Sequence, residues 1–172
     1  MMAMLAAPLM GLDAGKCVCM ALTHDLSESI VGDIPPSSNI GKVEKQKLEA
    51  DAMERIQAMI ESATAPIEKI PMTSEESTKS SQSLLLPSQV GRHVANLWQE
   101  YDSGESPEAV LLKDLDKLEM ILQAHEYETE GKRYDLQSFF DSTAGKFRTS
   151  IGRAWADEVI RLRTERHCNR QM

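Results

Sequence analysis

In ALTHDLSESIVGDIPP, Ala21 to Pro36, an imidazole and three carboxylates fall close together: His24, Asp25, Glu28 and Asp33. A neutral imidazole beside carboxylate oxygens suits a divalent cation of the Mn, Co, Fe or Mg kind rather than a structural zinc. Adjacent helical residues project about 100° apart, so His24 and Asp25 reach one ion only where the helix flank faces a cleft. A further ligand must come from another helix. The best internal candidate is Asp116, in VLLKDLDKLEMILQAHEYE, beside the inward Leu115, whereas Asp114, Lys117 and Glu119 read as surface charges. Taken alone, these residues also fit a plain solvated polar face. His93, His125 and His167 have no partner at ligand spacing, Ser27 has no base placed to activate it, and there is no glycine-rich phosphate loop.

The segments that must hold these groups read as helices. Val18, Cys19, Leu22, Leu26 and Ile30 share one face, and His24, Asp25 and Glu28 share another arc. This predicts a helix from Asp13, able to cap its start, to Val31, with Gly32 where a C-terminal glycine belongs. Ahead of it, MMAMLAAPLMGLDAGK begins without an N-cap and reads as the remainder of a helix. Pro35 pushes Ile34 to extended geometry. Further helices are predicted over Lys42–Ile60, with Leu48, Ala52, Ile56 and Met59 inward, and over Val90–Tyr101, with a stripe of Val94, Leu97, Trp98 and Tyr101. Another runs from Ser106 to Tyr127 with Leu111, Leu115, Leu118 and Leu122 inward. A short amphipathic segment over Asp135–Phe147, ending near Gly145, and a last helix over Ile151–Arg166 follow. Residues 61–89, ESATAPIEKIPMTSEESTKSSQSLLLPSQ, are rich in Ser, Thr, Pro and Glu and read as a flexible insertion, with Leu84, Leu85 and Leu86 touching down on the body. With no strand pattern and no repeat, the expectation is an all-α bundle forming a single domain over residues 1–172.

A length of 172 residues suits one domain with a real core. The net charge of −8, with no basic block to offset it, argues against binding a nucleic-acid backbone. A small anionic substrate stays open where a metal supplies local positive charge. Cys17, Cys19 and Cys168 form neither a CxxC pair nor an even framework, and read as reduced thiols of an intracellular protein. No run approaches the length of a membrane span, and the apolar N-terminal run lacks the basic region of a signal peptide.

LTHDLSESIVGDIPP, then LLKDLDKLEMILQAHEYE and LQSFFDSTAGKF, resemble the HD-domain metal-dependent phosphohydrolases, and within them the 5′-deoxynucleotidase branch. HD alone is a weak signal; HDxxExxxGDxP followed by KxxD is specific. The resemblance implies an α-helical HD-domain bundle, typically dimeric, that removes the 5′-phosphate from deoxyribonucleoside monophosphates. It implies His24, Asp25 and Asp116 as metal ligands, and Glu28 and Asp33 as carboxylates for catalysis or for a second ion. It also implies Asp33, Ile34, Pro35 and Pro36 as the turn that touches the nucleotide. The cofactor expected is Mn, Co or Mg; the partners expected are the substrate and a second copy of the chain, with no nucleic acid and no membrane. The location expected is the cytoplasm, with the nucleus also open. In the reaction implied, a cation-activated water attacks phosphorus in line, and Glu28 or Asp33 orients it or passes a proton to the leaving 5′-oxygen.

The family's site begins with a further histidine in a segment resembling SVxDH, preceded by an arginine and an aromatic residue. MMAMLAAPLMGLDAGKC aligns just after that histidine. The expectation is therefore an HD domain lacking its first helix region. It is either a truncated form of an ordinary nucleotidase or a short, catalytically impaired interaction and dimerisation module. The nucleotidase is the reading carried forward.

Overall fold

Every regular element is an α-helix in a computed structural model of the chain, which describes residues 1–34, 38–63, 87–129 and 135–170. The helices are α1 (Met2–Leu9), α2 (Ala14–Thr23), α3 (Glu28–Val31), α4 (Lys42–Ala63), α5 (Pro87–Ser103), α6 (Pro107–Thr129), α7 (Gln137–Thr143) and α8 (Ser150–Arg170). The all-α expectation holds among the described residues. Of the insertion expected over 61–89, residues 64–86 lie outside the described residues, including Leu84, Leu85 and Leu86, while α4 runs to Ala63 and α5 starts at Pro87. The chain forms two compact units, one of Met1–Ala21 with Glu100–Met172 and one of Leu22–Gln99.

In the first unit α6 is the central helix and packs against α1, α7 and α8. Its Leu111, Leu115, Leu118 and Ile121 are buried, at the three- and four-residue steps that place side chains on one helix face. The short side chains of Ala3, Ala6 and Ala7 are buried on α1, whose Met4, Leu5 and Leu9 stand exposed. As expected from the sequence, no side chain caps the start of α1.

Asp114 overturns its reading as a surface charge: it is fully buried. Its carboxylate accepts from the backbone amides of Arg148 (2.9 Å) and Thr149 (2.7 Å), from the Thr149 hydroxyl (2.8 Å) and from Lys117 Nζ (3.1 Å). The Thr149 hydroxyl in turn accepts from the Gly152 amide at 2.9 Å, capping α8. One carboxylate on α6 thus satisfies amides that the start of α8 would otherwise leave unpaired. Burial pushes the Asp114 carboxyl up, and its hydrogen bonds to Thr149, Arg148 and Lys117 outweigh this and hold it below its ordinary value.

Gly152 has no room for a side chain, since a Cβ there would lie 2.7 Å from both Asp114 Oδ2 and Thr149 Oγ1. Gly152→Ala should therefore lower stability by about 1–2 kcal/mol, the overpacking cost exceeding the ~1 kcal/mol that alanine contributes inside a helix. A urea midpoint at or above that of the unsubstituted chain would refute this. At the far end of the unit, Arg163 forks onto Glu128 with two 2.7 Å bonds, donates to Gln137 Oε1, and lies 3.9 Å from the Phe140 ring centroid, tying α8 to α6 and α7.

In the second unit, Met53, Ile56 and Trp98 form a buried cluster against which Leu26, Ile30, Ala50, Ile60 and Val94 pack. Gly91 lets α5 approach α4, because a Cβ there would lie 2.9 Å from the Gln57 carbonyl oxygen. The α4 register differs from expectation: Met53 is buried with Ala52 and Ile56, while Met59 and Leu48 are exposed. The helix predicted as unbroken from Asp13 to Val31 is also corrected, because it divides into α2 and α3. Asp13 does cap α2, accepting from the Lys16 amide at 3.0 Å, and Gly32 ends α3 at φ +77°, a conformation favouring glycine. Between them the backbone tightens through bonds from Leu26 to Thr23, Glu28 to Asp25, and Ile30 to Ser27, each three residues back. This tighter winding buries Ser27 and lets both Leu26 and Ile30 reach the cluster.

Candidate metal centre

The break between α2 and α3 falls on the HD dipeptide itself. His24 follows the last residue of α2, and Asp25 sits in the tightened turn. Their side chains meet, His24 Nε2 lying 2.9 Å from Asp25 Oδ2. The imidazole is mostly covered (20% exposed) and the carboxylate largely open (60%), so the pair stands at the edge of its unit. Leu26 and Ile30, held against the Met53–Ile56–Trp98 cluster, fix the backbone on either side of Glu28.

Glu28 is half-buried at the first position of α3. Burial raises its carboxyl above the ordinary range, the negative charges of Asp25, Asp33 and Glu49 push it further, and Lys45 pulls the other way. The structure therefore brings Asp25, Glu28 and Asp33 into one mutually repelling group. Asp33 is exposed just past Gly32, and Ile34 is buried with its carbonyl accepting from Lys45 Nζ at 3.0 Å. Lys45, paired also with Glu49 at 3.5 Å, anchors the Ile34 backbone to α4. Sequence reasoning missed this lysine, because at the start of an amphipathic helix it looks like any outward charge. Pro35 and Pro36 lie outside the described residues.

Asp116 belongs to the other unit, on α6. Its neighbour Leu115 is buried while Asp116 itself is exposed, and its Oδ2 accepts from the Tyr101 hydroxyl at 3.3 Å. Among the described residues, no three His, Cys, Asp or Glu side chains are arranged around a common ion position. The chemistry of the donors nevertheless fits a hard divalent cation: one imidazole with oxygen ligands, and carboxylates whose mutual repulsion a positive ion would relieve. A cation would compete with Asp25 for His24 Nε2 and with His24 for Asp25 Oδ2.

The HD domain family matches residues 1–155, nearly the whole chain. The chain belongs to the HD domain family. HD-domain phosphohydrolases are generally divalent-metal dependent, in keeping with the donor set around His24. Among curated relatives, this HD domain is similar to the 5′-deoxynucleotidase HDDC2 of Danio rerio, 41% identical over 149 residues that make up 85% of this chain and 62% of that protein. It is also similar to the 5′-deoxynucleotidase HDDC2 of Homo sapiens, 42% identical over 137 residues, or 79% of this chain and 54% of that one. The 5′-deoxynucleotidase hdd1 of Schizosaccharomyces pombe is 33% identical over 153 residues, covering 87% of this chain and 65% of its own. The chain thus spans between about half and two thirds of the length of these relatives. Among the described residues, no helix of the HD domain is long and apolar enough to cross a membrane.

Proposed function

We propose that this HD domain is a divalent-metal-dependent 5′-deoxynucleotidase that hydrolyses deoxyribonucleoside 5′-monophosphates to deoxynucleoside and phosphate. The observation that carries the proposal is the acidic group Asp25–Glu28–Asp33 beside His24, in a chain about 40% identical to proteins named for that activity. His24, Asp25 and Asp116 are the proposed ligands of the ion, and Glu28 and Asp33 are the proposed catalytic carboxylates, with ligation of a second ion as their alternative role. What supports Asp116 is its place in the KxxD string. A bound divalent cation supplies the positive charge that an acidic chain needs to accept a phosphate ester, and lowers the pKa of bound water.

The chain's own residues do the rest. Glu28, held above the ordinary carboxyl range, is a stronger base once ionised, and is the proposed acceptor of the proton from the attacking water. Asp33 is the proposed group that orients that water or passes a proton to the leaving 5′-oxygen. Lys45 keeps the Ile34 backbone fixed, and Asp33, Ile34, Pro35 and Pro36 are the proposed contacts of the nucleotide. Mn, Co or Mg is the proposed ion, a homodimer the proposed assembly, and the cytoplasm the proposed compartment.

The test is release of inorganic phosphate from deoxyribonucleoside monophosphates with Mn²⁺ or Co²⁺ present, against the same reaction with a chelator. Metal-dependent release is the expected result. Identical rates in both arms would remove the proposal.

A further inference from the structure

The structure holds a contact at Asp116 that the reaction above does not use. Tyr101, near the end of α5, donates its hydroxyl to Asp116 Oδ2 on α6 at 3.3 Å. Its ring is covered by Lys113, one turn ahead of Asp116 on α6, whose Nζ lies 4.4 Å from the ring centroid. The turn carrying Tyr101 is itself well tied. Gly104 ends α5 at φ +62°, its amide donating to the Tyr101 carbonyl at 3.1 Å, and its own carbonyl accepts from Arg148 Nη1 at 3.1 Å. The preceding Glu100 accepts from Ser106 Oγ and pairs with Lys16 at 2.7 Å, while Ser106 Oγ also accepts from the Ala109 amide at 3.1 Å. An exposed aspartate is thus met by a phenol delivered from a rigid corner.

We propose that Tyr101 is a positioning residue for the metal centre, holding the Asp116 carboxylate in the rotamer that ligates the cation. The proposal rests on the reading of Asp116 as a ligand. The physical reason is that an exposed carboxylate loses rotamer freedom when it binds an ion, and a hydroxyl already fixed on one oxygen removes part of that loss beforehand. Groups that orient metal ligands typically contribute ~10–100-fold in metal affinity. The Lys113 ammonium on the ring face keeps the phenol from swinging away from α6.

The experiment is Mn²⁺ titration of the full chain, with free Mn²⁺ followed by its electron paramagnetic resonance signal and melting measured separately in chelator. Tyr101→Phe keeps the ring and removes the hydroxyl. It should weaken Mn²⁺ binding by ~10-fold or more while leaving the chelator melting curve unchanged. Asp116→Asn should weaken binding more, and adding Tyr101→Phe in that background should bring no further loss. Wild-type Mn²⁺ affinity in Tyr101→Phe would overturn the proposal, as would an equal further loss in the Asp116→Asn background. Wild-type affinity in Asp116→Asn would remove the ligand assignment itself, and the role of Tyr101 with it.

Discussion

Asp25→Ala should abolish stoichiometric Mn²⁺ uptake and cut phosphate release by more than ~100-fold, because orienting a ligand is alone worth ~10–100-fold and this change removes the ligand. The fold should survive it. The Asp25 side chain is 60% exposed, its pairing with His24 at 2.9 Å is of the surface kind, and such pairs contribute ~0–1 kcal/mol. Glu28→Gln makes the complementary case. It keeps the shape of a half-buried side chain whose charge is disfavoured by burial and by Asp25 and Asp33, so folding should be unharmed. If Glu28 takes the water's proton, kcat should fall by ~10²–10⁴-fold with Mn²⁺ still bound. Parallel metal titrations and phosphate assays separate the two roles. Unchanged turnover in both variants would leave the acidic group without a catalytic task.

Two residues before Asp116, the opposite pattern is expected. Asp114→Ala should destabilise the chain by about 3–5 kcal/mol, because it removes a fully buried carboxylate that pairs with Lys117 and accepts from the buried Thr149 hydroxyl and from the amides of Arg148 and Thr149. Metal affinity, where the variant stays folded, should be little changed. Thermal and urea unfolding measure the loss, and a cost below about 1 kcal/mol would contradict the buried network. The sign of the pH dependence follows from the lowered carboxyl. The ionised form is favoured by folding, so its contribution is complete above the unfolded carboxyl value of about 3.9 and disappears as pH falls through the lower folded value. An acid-unfolding limb below about pH 4 should therefore be present in the unsubstituted chain and blunted in Asp114→Asn.

The contrast between Asp114 and Asp116 marks where reading residues one by one stops working. Both lie on α6 in KDLDK, and pattern alone set the first outside and the second at the edge of the buried stripe. In the fold Asp114 is buried and Asp116 exposed. The donors that settle the matter, at Arg148 and Thr149, stand 34 and 35 residues further along the chain. Nothing within a helical turn of Asp114 announces them. Lys45 was hidden for the same reason, since its partner at Ile34 lies 11 residues back along the chain.

The helical class was legible because it is written locally. Leu111, Leu115 and Leu118 recur at helical steps, and Asp13 and Gly32 punctuate the segment that carries the HD string. His24, Asp25, Glu28 and Asp33 stand out as candidate ligands by type and spacing, a pattern that alone also fits a solvated polar face and that the HDxxExxxGDxP resemblance made specific. That the helix tightens at those residues, that burial and the charges of Asp25 and Asp33 push the Glu28 carboxyl up, and that a tyrosine reaches Asp116 came only with the packed chain. Periodicity reports which face of a helix is apolar. Which groups meet across that face depends on contacts between segments far apart along the chain.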